Sequence, residues 1–397
     1  MQQVSERVNL MVESATLKMA QLSRELKAEG KDVIDLSIGE PDFVTPRHIM
    51  DAAAKAMDEG FTHYTPVPGY LELRKAIADK LKRDNHIDYT PEEIVVSTGA
   101  KQSLINVIMA IVNPGDEVVV PAPYWVSYEA MVQLAEGKMV NIFTDIDQDY
   151  KFTAAQLEAA ISPKTKALLY SSPCNPSGSV FTKEELEAIA RVIAKYPDII
   201  IISDEIYEYI TFEGKHESIA QFDFIKNQVV TVNGFSKGYA MTGWRVGYIA
   251  APLWIAKACN KIQGQFTSGT NSIAQKAAEA AIKGDLAPTH AMRDSFLKRR
   301  DLVVNLLKEV PGIKTNLPKG AFYVFPNVSS YFGKSYQGET IQDADDFAMY
   351  ILKHANVSLV SGAAFGNDKC IRISYATSEE KLREAVRRIA EALAKLS

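Results

Sequence analysis

Ile199-Ile200-Ile201-Ile202-Ser203-Asp204 is an unbroken apolar run closed by a carboxylate. No polar residue alternates through it, so the strand it predicts must be covered on both faces, as in a parallel sheet held between helices. Short apolar runs recur on either side of it, at Ile94–Ser97, Glu117–Pro121, Ala167–Ser171, Val229–Asn233 and Val246–Ala250. Helical patterns lie between them. Leu104, Val107, Ile108, Ile111 and Val112 repeat at helical spacing, and Thr182 with Glu185 forms a capping box ahead of Leu186, Ile189 and Ile193. Strand and helix in alternation predict an α/β fold whose ligands sit at the carboxyl rim of a mainly parallel sheet.

Beyond residue 290 the alternation stops. Residues 291 to 310 carry a charged helical pattern that ends at Pro311-Gly312. Ala321–Phe325, a helical stretch near 342 to 354, a strand pair near 357 to 360 and 370 to 375, and a last helix follow. A Thr377/Glu380 capping box is expected to start that helix, with Leu382, Ala385, Val386, Ile389 and Leu393 on its apolar face. The expected division is an N-terminal segment, 1–45, packing with the small domain, a large domain, 46–290, and a small α+β domain, 291–397.

The chain has 397 residues, 47% hydrophobic and 23% charged, a globular mix that excludes disordered and collagen-like proteins. Lys and Arg number 44 against 49 Asp and Glu, a net charge of −5, so no basic excess is present to neutralise nucleic-acid phosphates. No apolar run reaches the ~18 residues of a membrane span, and Glu6, Arg7 and Asn9 stand where a signal peptide needs apolar residues. A cytoplasmic location is expected. Cys174, Cys259 and Cys370, odd in number and without C-x-x-C spacing, read as reduced thiols, and no H-E-x-x-H is present to suggest a metal.

Asn175, Asp204 and Lys237 each follow a predicted strand, so all three should emerge on one rim. A carboxylate there needs a cation or hydrogen-bond donors, which a plain ion pair or loop cap would also supply. Asn175 lies among turn formers in Ser172-Pro173-Cys174-Asn175-Pro176-Ser177-Gly178, where a purely conformational role is equally open. The stretch from Ser236 to Gly247 sets Lys237 and Arg245 among three glycines, with Ser236 and Arg245 as donors to an anion. Ser97-Thr98-Gly99-Ala100-Lys101 runs from strand into helix, where free N–H groups attract phosphate. An amine, a phosphate cradle and a carboxylate on one rim are what pyridoxal phosphate requires: a nitrogen to bond its aldehyde, an anchor for its phosphate, and an anion to keep its ring nitrogen protonated.

These segments resemble the class I aminotransferases of pyridoxal-phosphate fold type I. The likeness is strongest to the bacterial aspartate aminotransferase branch, through Asn233-Gly234, Lys237, Met241-Thr242-Gly243-Trp244-Arg245 and Gly247-Tyr248. It runs from Ser14-Ala15-Thr16 and Gly39-Glu40-Pro41-Asp42-Phe43 to Arg372-Ile373-Ser374-Tyr375-Ala376-Thr377. The resemblance implies a seven-stranded, mainly parallel sheet covered by helices beside a smaller α+β domain.

The resemblance also implies roles. Lys237 would bond the cofactor aldehyde, Asp204 would pair with the ring nitrogen, and Tyr207 and Asn175 would bond the ring 3-oxygen. Gly99, Ala100, Ser236 and Arg245 would hold the phosphate, and Trp125 would stack on the ring. Tyr64 would reach the phosphate of the neighbouring subunit of a homodimer. Alternation alone puts Arg372 opposite Ile371 and Ile373, as a solvated strand arginine; the resemblance instead gives it the substrate α-carboxylate, with Gly39 approaching through its backbone. Lys101 and Thr16 would select the distal carboxylate. Some relatives that accept prephenate carry a lysine where this chain has Val12.

The expected reaction is ping-pong transfer of the amino group from L-aspartate to 2-oxoglutarate. Other aminotransferases (aromatic, alanine or prephenate) and β-lyases share the fold implied here. A cofactor-binding sensor would need a DNA-binding extension that is not seen. A different class is also open: Gly234-Phe235-Ser236-Lys237-Gly238 matches the G-x-S-x-G elbow of a serine α/β-hydrolase, for which a later Asp and then His290 or His354 would complete the triad.

Overall fold

The computed structural model describes residues 4–9, 11 and 14–397. Seven strands form its main sheet, numbered here along the chain: β1 Ile94–Ser97, β2 Glu117–Ala122, β3 Lys138–Phe143, β4 Thr165–Ser171, β5 Ile200–Asp204, β6 Val229–Gly234 and β7 Gly247–Ala250. Across the sheet they lie in the order β1-β7-β6-β5-β4-β2-β3. β7 runs antiparallel to both β1 and β6, and every other neighbouring pair is parallel.

Strand parity divides the core. Ile199 and Ile201 pack with Leu168 and Val229 on one face, while Ile200 and Ile202 pack with Leu169, Val230 and Val232 on the other. Leu186, Ile189 and Ile193 of the helix Lys183–Ile193 seal the first face. Leu104, Val107 and Ile108 of Ala100–Ile111 seal the second. At about 1.5–3 kcal/mol for each fully buried large aliphatic side chain, this two-sided burial is what requires the run at 199–202 to be apolar throughout.

Some details differ from the reading of the sequence. β5 begins one residue later than expected and takes in Asp204, which pairs with Ser171 of β4. The edge strand β3 was not foreseen, because Lys138-Met139-Val140-Asn141-Ile142-Phe143 mixes polarity and Phe143 is 70% exposed. The last helix, Glu379–Leu393, is capped by the side chain of Ser378, which accepts from Lys381 N–H, and not by Thr377. The Thr182/Glu185 capping box forms as expected.

The C-terminal elements build a second core. The helices Ala287–Lys308, Ala344–Ala355 and Glu379–Leu393 pack around an antiparallel sheet of Val360–Ser361, Ile371–Ser374 and Tyr323–Val324, in that order. The first of these helices starts before residue 291 because Pro288 fits its first turn. N-terminal residues join this core: Ile34–Asp35 pairs in parallel with Val357–Ser358, and Met19 of the helix Ala15–Ala28 packs with Ala348 and Leu352. Among the described residues no helix is long and apolar enough to cross a membrane. All three cysteines are free and buried.

Candidate active site

A cavity of about 530 Å³ opens at the carboxyl ends of β4 and β5 and at the loop after β6, bounded by the helix Ala15–Ala28 and by Arg372. Asp204, at the last position of β5, shares the face of Ile200 and Ile202. There the Tyr128 hydroxyl donates to its Oδ2 at 2.7 Å and the Ile206 N–H to its Oδ1 at 3.3 Å. Burial prevails over these bonds and lifts its pKa to about 6. Such a carboxylate gains from any cation placed beside it.

Lys237 lies in the turn that follows β6, and its Nζ donates to the Gly39 carbonyl at 2.5 Å. The amine is 5.7 Å from the ring centroids of both Tyr207 and Phe322. Burial lowers its pKa to about 8; Arg372 and Arg245 act in the same direction, against Glu40 and Asp204. Near neutrality about a tenth of this amine is therefore uncharged, against well under a thousandth of an ordinary lysine, and the uncharged form is what a nucleophile or base requires.

Arg372 is 2% exposed, contrary to what strand alternation alone suggests. Its Nη1 donates to Asn175 Oδ1 at 3.0 Å and its Nη2 to the Ser37 carbonyl at 2.5 Å. The guanidinium lies between Tyr323 and Phe365, 4.6 and 4.9 Å from their ring centroids. Burial depresses its pKa, and the groups that oppose this are the phenols of Tyr323 and Tyr207, not a carboxylate. Nε has no partner among the described residues. A buried cation in this condition is prepared for an anionic ligand. Gly39 comes close by necessity, since a Cβ there would stand 2.6 Å from the Tyr323 hydroxyl. That hydroxyl also shares a 2.7 Å bond with Tyr207, whose pKa burial raises far above 10.

The opposite wall is a cradle of backbone and donors. The helix Ala100–Ile111 starts on Gly99, with φ +84° and no side-chain cap. A Cβ at Gly99 would collide with the Arg245 guanidinium, and one at Gly247 with the Ala100 nitrogen. Ala100, Ser236 and Arg245 all line the cavity there. Uncapped N–H groups, a hydroxyl and a guanidinium are a donor set for a phosphate. Together with the Asp204 carboxylate and the Lys237 amine, this set fits pyridoxal phosphate at each of its three polar ends.

Trp125 and Lys101 line the same cavity, the lysine amine 4.8 Å from the indole centroid. Burial, then Arg245, lowers the Lys101 pKa. Thr16 also lines it, with a buried hydroxyl that lacks a partner among the described residues. Val12 lies outside the described residues. Tyr64 is not brought to the cavity of its own chain and is 99% exposed. Ser236 is there, but among the described residues no histidine lines the cavity; His354 instead pairs with Glu339. A Ser-His-Asp triad is therefore not formed around Ser236.

Tyr128 and Tyr323 were missed as site residues. Tyr128 sits in the first turn of Ser127–Leu134 and Tyr323 in a short buried strand, so both read as ordinary aromatic core. Only their long-range partners show otherwise.

Known proteins resemble this chain along its length. The family model described as Aminotransferase class I and II matches residues 31–389. A protein from Petunia hybrida named bifunctional aspartate aminotransferase and glutamate/aspartate-prephenate aminotransferase is 47% identical, over 98% of this chain and 82% of its own length. The aspartate aminotransferase of Bacillus subtilis (strain 168) is 45% identical, over 97% of this chain and 98% of its own. The crystal structure of the aspartate aminotransferase from Rhizobium meliloti has a TM-score of 0.97 at 43% identity, with 100% of both chains covered. Because the family match runs from 31 to 389 and takes in most of both cores and of the cavity lining, this chain belongs to the class I and II aminotransferases, a family of enzymes that use pyridoxal phosphate to move amino groups.

Proposed function

We propose that the protein is an aspartate aminotransferase, moving the amino group of L-aspartate to 2-oxoglutarate to give oxaloacetate and L-glutamate with pyridoxal 5′-phosphate as cofactor. The observation that carries this reading is the Lys237 amine, its pKa lowered to about 8, in one cavity with the buried guanidinium of Arg372 and the buried carboxylate of Asp204. Bound there, the cofactor supplies an aldehyde to carry the amino group and a ring to take up the electrons released when the Cα–H bond breaks.

The chain's own residues have separate tasks. Gly99, Ala100, Ser236 and Arg245 anchor the phosphate, and Asp204 keeps the ring nitrogen protonated. Asn175 and Tyr207 orient the ring 3-oxygen, and Trp125 covers one face of the ring. Arg372 grips the substrate α-carboxylate with two parallel bonds while Gly39 closes over it. Lys237 Nζ, once free, takes the proton from the substrate Cα. Lys101 and Thr16, which line the same cavity, receive the distal carboxylate, which favours dicarboxylic substrates.

The same reading makes the protein a cytoplasmic homodimer, with the exposed Tyr64 completing the neighbour's phosphate site. It also takes residues 1–45 with the small domain 291–397 as one body against the large domain 46–290. The pairing of Ile34–Asp35 with Val357–Ser358 supports that division. The names of relatives such as the Petunia protein support a second reading, in which prephenate is also an acceptor. One panel decides among these: oxo-acid formation from aspartate, alanine, phenylalanine and cystathionine with 2-oxoglutarate, and amination of prephenate. Aspartate is expected to be the best donor; pyruvate released from cystathionine would replace the proposal with a lyase.

A further inference from the structure

Behind the rim, a buried ion pair joins the two loops that carry the reacting groups. Lys80, on the helix Leu71–Asn85, and Glu208 are 1% and 5% exposed and in direct contact. The Glu208 carboxylate also accepts from Asn85 Nδ2 at 2.8 Å and from Asn233 Nδ2 at 2.7 Å. Asn233 in turn accepts from the Gly234 N–H at 2.7 Å. Glu208 directly follows Tyr207, in a turn closed by its own N–H on the Glu205 carbonyl at 2.9 Å. Asn233 lies at the end of β6, ahead of Lys237. One carboxylate therefore ties the loop of Asp204 and Tyr207 to the strand that delivers Lys237. Tyr209 reinforces the tie, its ring occupying the space 2.8 Å from where a Cβ of Gly238 would stand.

A buried ion pair adds little net stability over an apolar replacement, so its presence here calls for another use. We propose that the Lys80–Glu208–Asn233 cluster is a positioning device that holds Tyr207 and Lys237 in register, with Asn233 as the residue that transmits it. This rests on the reading of Lys237 as the reacting amine. Loss of the tie lets that amine drift, and misplacement by about 1 Å lowers turnover by up to ~10²-fold.

The pair Asn85 and Asn233 provides the test. Asn85→Ala and Asn233→Ala each remove one amide donor from the same carboxylate, but only the second cuts the link to β6. On the holoenzyme, thermal midpoint, kcat and KM for aspartate, and the pH midpoint of the bound cofactor's absorbance are measured, with cofactor affinity of the apoenzyme alongside. Both variants are expected to lose comparable thermal stability. Only Asn233→Ala is expected to lower kcat about 10- to 100-fold at nearly constant KM and to move the absorbance midpoint. Equal kcat losses in the two variants, or an unmoved midpoint in Asn233→Ala, would show that the cluster only stabilises the fold. Asn233→Ser, which keeps a polar group in the buried space, replaces Asn233→Ala if that variant does not fold, with the same outcomes. A wild-type protein that neither binds pyridoxal phosphate nor transaminates would refute the underlying reading; an active wild type with two indistinguishable variants refutes the positioning device alone.

Discussion

Tyr128 donates its hydroxyl hydrogen to the carboxylate of Asp204 across 2.7 Å, and both groups are buried. The bond favours the charged form of Asp204 against the burial that raises its pKa to about 6. Tyr128→Phe removes that support. A hydrogen bond to a charged group contributes about 1.5–3 kcal/mol, so kcat is expected to fall roughly tenfold or more. Cofactor affinity of the apoenzyme should weaken in parallel. Steady-state kinetics and a fluorescence titration with pyridoxal phosphate check this; unchanged values would mean that the bond is incidental.

Lys237 should capture added pyridoxal phosphate as an unusually acidic amine. Only its neutral form attacks, so the capture rate of the apoenzyme should rise with pH to a midpoint near 8, against ~10.4 for an ordinary lysine. The sign for stability follows from the same shift. A depressed lysine pKa contributes stability that is fully present above the unfolded value and lost as pH falls through about 8. Lys237→Met is therefore expected to raise the apoenzyme's thermal midpoint at pH 7, with the gain vanishing in strongly alkaline buffer.

Arg372→Lys retains a positive charge but not the planar fork. The aspartate KM, and the inhibition constant of the unreactive dicarboxylate maleate, should both rise about 10- to 100-fold, the loss expected for one charge-assisted bond. Inhibition constants that stay near wild type would remove Arg372 from substrate binding.

Gly99→Ala tests the phosphate cradle. Gly99 has φ +84° and ψ 158°, and a Cβ there meets the Arg245 guanidinium. Backbone of this kind is nearly restricted to glycine and carries about 1–3 kcal/mol of strain for other residues. The variant should lose thermal stability and bind pyridoxal phosphate more weakly, whereas pyridoxal without its phosphate should be affected less.

The central strands were legible because burial on both faces leaves no choice of residue: Ile199 to Ile202 can be little else. β3 was not, since an edge strand with one half-exposed face needs no regular pattern. The site was legible where glycines and a lysine crowd between two strands, from Gly234 to Gly247. It was illegible where function depends on partners far along the chain. By strand alternation alone Arg372 reads as a surface residue; only the resemblance gave it a buried role, and Asn175 and Ser37 meet it there. Lys80 and Glu208, 128 positions apart, carry no local signal of the buried contact they form.

Tyr64 tests the assembly. At 99% exposure it contributes nothing to the cavity of its own chain, so Tyr64→Phe should weaken cofactor binding only if two chains share the site. Mixed dimers formed from Tyr64→Phe and Lys237→Ala chains should hold one normal and one doubly impaired site. Sedimentation as a monomer, or full cofactor affinity in Tyr64→Phe, would exclude the shared site.

Borohydride reduction of the protein after incubation with pyridoxal phosphate, followed by mass mapping of its peptides, tests the chemistry most directly. The phosphopyridoxyl mass is expected on the peptide containing Lys237 and nowhere else. A protein that stays colourless and unlabelled, or that carries the label on another lysine, would contradict the account.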